Sequence, residues 1–329
     1  MSRILVTGGA GYIGSHTVKA LIAAGHEPVV LDDLSEGHRQ AVPAEVEVVV
    51  GEIGSRPDLD AVLSGGAIDA VIHFAARCYV GVSMREPRAY YRNNVAGTLN
   101  LLEAVVAHGV RPLLFSSSCA VYGDPGGEEL EESRPFCPIN PYGHTKAVVE
   151  WALQDLHGAG EIDYVALRYF NAAGADPDGE LGEDHDPETH LIPLVIAAGV
   201  GPWGALTVFG TDYPTSDGTC VRDYVHVADL ADAHVRGIGY LLDGGDSAAL
   251  NLGTGTGYSV KEVIAAVARR SGEEVPHEFG ERRPGDPASL VARPGRAREV
   301  LGWVPEHSSL EEIVDTAWNW REAHPEGYS

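Results

Sequence analysis

Residues 4–14 read Ile-Leu-Val-Thr-Gly-Gly-Ala-Gly-Tyr-Ile-Gly, a short apolar run that ends in glycines. Residues 14–24 then place apolar side chains at helical spacing and stop at Gly25. A strand hands over to a helix here through a glycine turn. In such a turn Gly8 permits the tight bend, Gly11 lets the backbone approach a pyrophosphate, and Gly14 lets helix pack on strand. The helix start at Tyr12 and Ile13 offers unpaired N–H groups and a partial positive charge to phosphate oxygens. Asp32 follows eighteen residues after Gly14, at the end of the next strand-like run. A carboxylate there accepts the adenosine ribose hydroxyls and repels a 2′-phosphate, and Asp33 adds to that repulsion. The spacing predicts NAD as cofactor, not NADP.

Outward from this turn the pattern repeats. Strand-like runs stand at residues 28–31, 46–50, 70–74, 112–116 and 164–169, with helical patterns at 88–108 and 141–157 among them. Strands alternating with helices imply a parallel sheet covered on both faces. The fold class is therefore α/β, a doubly wound, Rossmann-like sheet. After about residue 171 the texture changes: Gly, Pro and Asp crowd residues 174–188, and an apolar segment at 191–200 leads into another Gly/Pro-rich stretch. We read a smaller, loop-rich C-terminal substrate lobe set across the carboxyl edge of the sheet. Residues 1–171 form the cofactor domain, which also receives roughly 222–245, and residues 172–329 mainly form the substrate lobe. The helical patterns at 227–242 and 259–271 are expected one in each lobe.

Composition bounds the function. Of 329 residues 44% are hydrophobic and 22% charged, enough apolar material for a packed core. The 48 acidic against 23 basic residues give a net charge of -25. So acidic a surface repels phosphate backbones and anionic lipid, which argues against nucleic-acid or membrane partners. An anionic substrate then needs a few locally placed cations. Cys78, Cys119, Cys137 and Cys220 show no paired spacing, which suits a reducing, cytoplasmic setting. The chain enters its first strand at once, so no secretory leader is expected, and no apolar run approaches the ~18 residues of a membrane span.

Asn140-Pro141-Tyr142-Gly143-His144-Thr145-Lys146 starts a helix, with Asn as cap and Pro at the first helical position. Tyr142 and Lys146 then lie four apart and project from one face. A free phenol is a poor base at neutral pH, with a pKa of about 10. A neighbouring ammonium and a positive nicotinamide favour the phenolate. Ser116-Ser117-Ser118 closes the strand at 112–115, at the edge where doubly wound sheets place their chemistry. The Ser118 hydroxyl can relay a proton to the tyrosine. Together these residues indicate hydride transfer at a carbon bearing a hydroxyl.

The combination resembles the extended branch of the short-chain dehydrogenase/reductase superfamily. Within it the chain is most similar to the UDP-glucose 4-epimerase family, on TGGAGYIG (7–14), the serines with Val121-Tyr122-Gly123, Pro141 to Lys146, RYFN (168–171), FGTDYPTSDGTCVRDYVHV (209–227) and RRPGD (282–286). The resemblance spans essentially the whole chain. It implies an isomerase of nucleotide-sugar and galactose metabolism that interconverts UDP-glucose and UDP-galactose through a transient 4-keto sugar, with NAD held tightly. Around the cofactor it implies Glu52 and Ile53 near adenine, then Phe74, Ala75, Ala76, Asn93, Ser116, Lys146 and Tyr169. Around the UDP-sugar it implies Ser118, Tyr142, Phe170, Asn171, His190, Leu191, Phe209, Arg222, Arg283, Asp286 and Leu290. Two arginines opposite a diphosphate suit the bidentate geometry of guanidinium and phosphate. It also implies a homodimer through the helices at 88–108 and 141–157.

Several positions depart from that family's pattern. Glu52 stands where many members have Asp, and Arg77 is the cation nearest a lysine that some members place at position 78. Leu290 takes a position that is Tyr or a small residue elsewhere, which leaves open 4-epimerisation of UDP-N-acetylglucosamine, UDP-glucuronate or UDP-xylose. A nucleotide-sugar 4,6-dehydratase requires an acid/base pair just after the serine strand end, where this chain has Cys119 and Ala120. A non-catalytic NAD-binding regulator has no use for Tyr142, Lys146, Arg222 and Arg283. The run Glu183 to His190 carries carboxylates and histidines without a regular face, so it reads as a solvated acidic loop and no metal is expected.

Overall fold

Apolar runs that alternate with amphipathic helices build a sheet buried on both faces. The computed structural model describes residues 1–200, 204–283 and 285–328; residues 201–203 of the Gly/Pro-rich stretch, Pro284 of RRPGD and Ser329 lie outside the described residues. Strands β1 (Arg3–Thr7), β2 (Glu27–Asp32), β3 (Glu47–Val50), β4 (Ala70–His73), β5 (Pro112–Ser118) and β6 (Asp163–Tyr169) are joined by a seventh, Ala248–Leu252. Their order is Ala248–Leu252, β6, β5, β4, β1, β2, β3, every pair parallel. The order reverses between β1 and β4, which opens a crevice at the carboxyl ends of those strands.

Side chains alternate across this sheet. Ile4 and Val6 face helices Tyr12–Ala23 and Val227–Leu242, whereas Leu5 faces helices Arg56–Ser64, Thr98–Ala107 and Pro141–Gly158. All three are fully buried, as a parallel sheet sandwiched between helix layers requires. Helix Val227–Leu242 packs against Tyr12–Ala23. Beyond that helix, Ala248–Leu252 adds to the outer edge of β6.

The helix expected at 88–108 is three segments. Pro87–Tyr90 and Thr98–Ala107 are α-helical, and Tyr91–Gly97 between them is wound as a π-helix. Wider winding of this kind re-aims side chains and recurs at functional sites. Here it buries Asn94, whose amide donates to the Arg77 carbonyl at 2.9 Å while its oxygen accepts the Arg77 N–H at 2.8 Å.

The smaller lobe has its own sheet and core. Asn171–Ala173 pairs with Val221–His226, which also pairs with Gly257–Ser259 and Ser289–Leu290. Helices Leu191–Val200, Val260–Ser271 and Leu310–Ala323 bury Ile192, Val263, Ile313 and Trp318 together. Among the described residues no helix is long and apolar enough to cross a membrane.

Candidate active site

A cavity of about 1780 Å³ opens at the carboxyl ends of β1, β2, β4, β5 and β6, and the smaller lobe walls it from the other side. Every cofactor and substrate residue named from the sequence lines this one cavity. Arg77 lines it too, and so do Tyr79, Arg92, Glu183, His185 and Glu188, which the sequence does not single out for the site.

The cofactor end rests on backbone geometry. Gly8 has φ of +73°, and Gly14 lies so close to the turn that an added Cβ would stand 2.2 Å from the Gly8 carbonyl oxygen. Gly11 differs, because a Cβ there meets only that same oxygen, at 3.5 Å. Its free side is the cavity. Gly11 is the N-cap of helix Tyr12–Ala23 and supplies no side-chain cap, so the first N–H groups of the helix are left for an anion. Asp32 accepts the Ala10 N–H through Oδ2 and the Leu34 N–H through Oδ1, each at 2.9 Å. Each oxygen keeps a second lone pair for a ribose hydroxyl. Asp33 is turned to its own loop, where Oδ1 accepts both the N–H and the hydroxyl of Ser35. Gly11→Ala is expected to cost at most about 1 kcal/mol of fold stability, the scale of a poorer N-cap. It should weaken NAD binding tenfold or more, about 1.4 kcal/mol. Urea unfolding alongside NAD titration checks both; unchanged NAD affinity would remove the cavity-facing role of Gly11.

The catalytic end joins β5 to helix Pro141–Gly158. Asn140 caps the helix as expected, its Oδ1 accepting the Gly143 N–H at 2.8 Å. Tyr142 and Lys146 both face inward and are buried. The Lys146 ammonium donates to the Ser116 carbonyl at 2.6 Å and lies 5.8 Å from the centre of the Tyr142 ring. Burial lowers the Lys146 pKa to about 8. Burial also pushes the Tyr142 phenol well above its ordinary value, with Tyr169 and Cys78 adding to the rise and a hydrogen bond with Ser118 opposing it. Lys146 is thus a weaker lever than its i, i+4 spacing suggests. Further positive charge has to enter the cavity before the phenolate is within reach.

Behind these residues stands a buried ion pair that the sequence reading did not single out. Glu150 sits on the same helix, fully buried, and accepts from Arg168 of β6 through Nε at 2.9 and 3.1 Å and Nη2 at 2.6 Å. It also accepts the Ser117 hydroxyl at 2.5 Å. Helix, β5 and β6 are locked together beside Ser116, Ser118 and Tyr142. Ser116 and Tyr169 hydrogen-bond hydroxyl to hydroxyl across β5 and β6.

The smaller lobe brings cations and an aromatic ring. The Arg283 guanidinium lies over the Phe209 ring, 4.1 Å from its centre. Arg222 is paired with Asp286 on the same wall. Leu290 packs on a small cluster with Cys119, Val121 and Phe170. Cys119 is buried there and its thiol is pushed up to about 12, in keeping with packing and not thiol chemistry. The run Glu183 to His190 is solvated only in part: Asp186, Pro187 and Thr189 are exposed, whereas four of its side chains turn inward. The Glu183 and His185 side chains are only 6% and 10% exposed, and they converge with Glu188 and His190 on the cavity wall, because the loop folds back against Tyr12 and Tyr79.

The profile of the NAD dependent epimerase/dehydratase family matches residues 4–253. This chain belongs to that family. Among its relatives, the UDP-glucose 4-epimerase of Rhizobium leguminosarum bv. trifolii is 53% identical over 320 residues, covering 96% of each chain. The crystal structure of UDP-glucose 4-epimerase from Brucella ovis in complex with NAD is 49% identical, with a TM-score of 0.93 over 97% of this chain and 98% of that one. The enzyme from Bifidobacterium longum, in complex with NAD+ and UDP, is 37% identical with a TM-score of 0.94 over 99% and 100%. The NAD dependence of the family meets a cradle that fits it here: an open Gly11, an uncapped helix start and a buried carboxylate at the end of β2.

Proposed function

We propose that this protein interconverts UDP-glucose and UDP-galactose. The observation that carries the reading is the meeting, in one cavity, of Tyr142, Lys146 and Ser118 with the dinucleotide turn on one side and Arg222 and Arg283 on the other. Bound NAD supplies the hydride acceptor and donor, and its nicotinamide carries a positive charge. Tyr142 takes the proton of the sugar 4-hydroxyl, directly or through Ser118. Lys146 holds the phenolate by its charge and the ribose by its hydrogen bonds. Loss of hydride makes C4 flat, so its two faces become equivalent in bonding and differ only in which one is presented. Inversion then requires the sugar to turn while the nucleotide stays put. The residues fit that division: Arg222, Arg283 and Phe209 grip the uridine diphosphate, and the sugar end meets the smoother Leu290, Phe170 and Ser118. Net redox change is zero, so NAD stays bound.

Incubating the purified protein with UDP-galactose and following the sugar by NMR tests this reading. UDP-glucose should accumulate to equilibrium without added reductant, and a 4-keto-6-deoxy product or no conversion would overturn it. The choice of sugar rests on Leu290, with a pocket one or two methylenes too small for an N-acetyl group. UDP-glucose is expected to be preferred over UDP-N-acetylglucosamine by about 10–200-fold, or ~1–3 kcal/mol. Leu290→Ser should raise kcat/KM for the N-acetyl sugar and change the glucose value little. Equal wild-type activity on both sugars would remove Leu290 from that role.

The same reading divides the chain into a cofactor domain of residues 1–171 with the returning segment through Leu252, and a sugar lobe from the remainder. It also makes the protein a cytoplasmic homodimer. Exposed Leu99 and Trp151, 41% and 50% accessible on the two helices named above, support the dimer, and light scattering in solution tests it.

A further inference from the structure

We propose that Glu183, His185, Glu188 and His190 bind a divalent transition-metal ion of the zinc class in the wall of the cofactor cavity. The four lie in the loop between strand Asn171–Ala173 and helix Leu191–Val200. Both histidines turn Nδ1, and both glutamates one carboxylate oxygen, into a space where all four atoms lie within 4.8 Å of one another. Glu183 Oε1 is 2.7 Å from His190 Nδ1 and 3.3 Å from His185 Nδ1. Glu188 is 3.2 Å from His190 Nδ1 through Oε1 and 3.6 Å from His185 Nδ1 through Oε2. Ligands at about 2.1 Å from a tetrahedral centre stand about 3.4 Å apart, so the separations of 3.2, 3.3 and 3.6 Å suit an ion between them, and the 2.7 Å pair has to open by a few tenths of an ångström to admit it.

Direction separates a metal site from a set of ion pairs. Glu183 Oε1, His185 Nδ1 and His190 Nδ1 are all shielded from solvent, and none has a hydrogen-bond partner. The Glu183 and His185 side chains are only 6% and 10% exposed. Short distances without hydrogen-bond geometry fit lone pairs turned to a shared centre better than a set of His–Glu hydrogen bonds. A buried carboxylate left so is costly unless a cation answers it. Two carboxylates neutralise one divalent ion, with both imidazoles neutral. The N2O2 set selects zinc or its neighbours over magnesium and calcium, which favour all-oxygen shells.

Supporting contacts hold the ligands in place, as metal sites require. Glu188 Oε1 accepts the N–H groups of Thr189 and His190 at 2.6 and 2.7 Å. The His185 ring stands edge-on to Tyr12 of the glycine turn, 6.4 Å between centres, and to Tyr79 at 5.9 Å. A metal here pins the loop that carries His190 and Leu191 against the turn that cradles the cofactor. Coordination through Nδ1 leaves Nε2 of His190 for a cavity ligand. The role is structural, fixing one wall of the site.

The test uses NAD-loaded protein, purified untagged and without chelator. Mass spectrometry of the metal content should find close to one zinc per chain. The doubly changed Glu183→Gln, His185→Ala protein should retain less than a tenth of that. On chelator-treated wild type, added Zn2+ should raise the melting temperature, and Co2+ should give the visible absorption bands of a tetrahedral site, whatever the folding of the variant. Absence of retained metal together with no response to added Zn2+ or Co2+ overturns the proposal. Equal metal content in a folded double variant also overturns it, since the ion would then sit elsewhere.

Discussion

Tyr142→Phe is expected to lower kcat by at least ~10²-fold, the scale of losing a general base, while NAD and UDP-sugar binding stay nearly intact. The ring is buried beside Ser118 and Lys146, and the change removes only the hydroxyl, so the packing of helix Pro141–Gly158 is preserved. The effect belongs in kcat and not in KM, because the proton is moved only as the reaction proceeds. Single-turnover kinetics with NAD-loaded protein measures it. Near-normal turnover would end the assignment of Tyr142 as base. Lys146→Ala adds a second readout. Without its ammonium 5.8 Å from the ring, the phenol titrates higher, and the rise of kcat with pH should move upward. An unchanged profile would confine Lys146 to holding the ribose.

Arg168→Leu is expected to destabilise the protein by about 3–5 kcal/mol, because it leaves Glu150 charged, buried and without its partner. The Glu150 and Arg168 side chains are only 1% and 4% exposed, so water cannot take over the lost contacts. Replacing both, as Glu150→Leu with Arg168→Leu, should recover much of the loss, since the desolvation penalty disappears with the pair. Urea midpoints of the two variants decide the matter; a single variant within about 1 kcal/mol of wild type would show that the pair is dispensable. Catalysis should suffer beyond stability. Glu150 also holds the Ser117 hydroxyl, so its carboxylate sets how the helix of Tyr142 meets the strand of Ser118.

The parts of this protein that are legible in its sequence are those whose cause lies within one turn, strand or helix. The glycine turn, Asp32 at the end of β2, the Asn140 cap and the inward pair Tyr142 and Lys146 follow from spacing, and the structure brings them to one cavity. Strands β1 to β6 are legible because burial on both faces demands continuous apolar runs. Ala248–Leu252 is not: with Asn251 inside a run of five, it becomes a strand only because β6 has an open edge beside it. The pairing of Arg222 with Asp286 spans sixty-four residues, and no local pattern announces it. The π-wound turn at Tyr91–Gly97 hides inside an ordinary helical periodicity. Glu183 to His190 shows the division most plainly. Its residue types are visible in the sequence, but a loop has no period to align them. Their convergence, and the burial that makes unpaired donors and acceptors matter, come from packing against Tyr12 and Tyr79, residues more than one hundred positions away. Propensity and spacing act over a turn or two of chain, whereas desolvation and charge pairing depend on what lies near in space, and only the tertiary structure decides that.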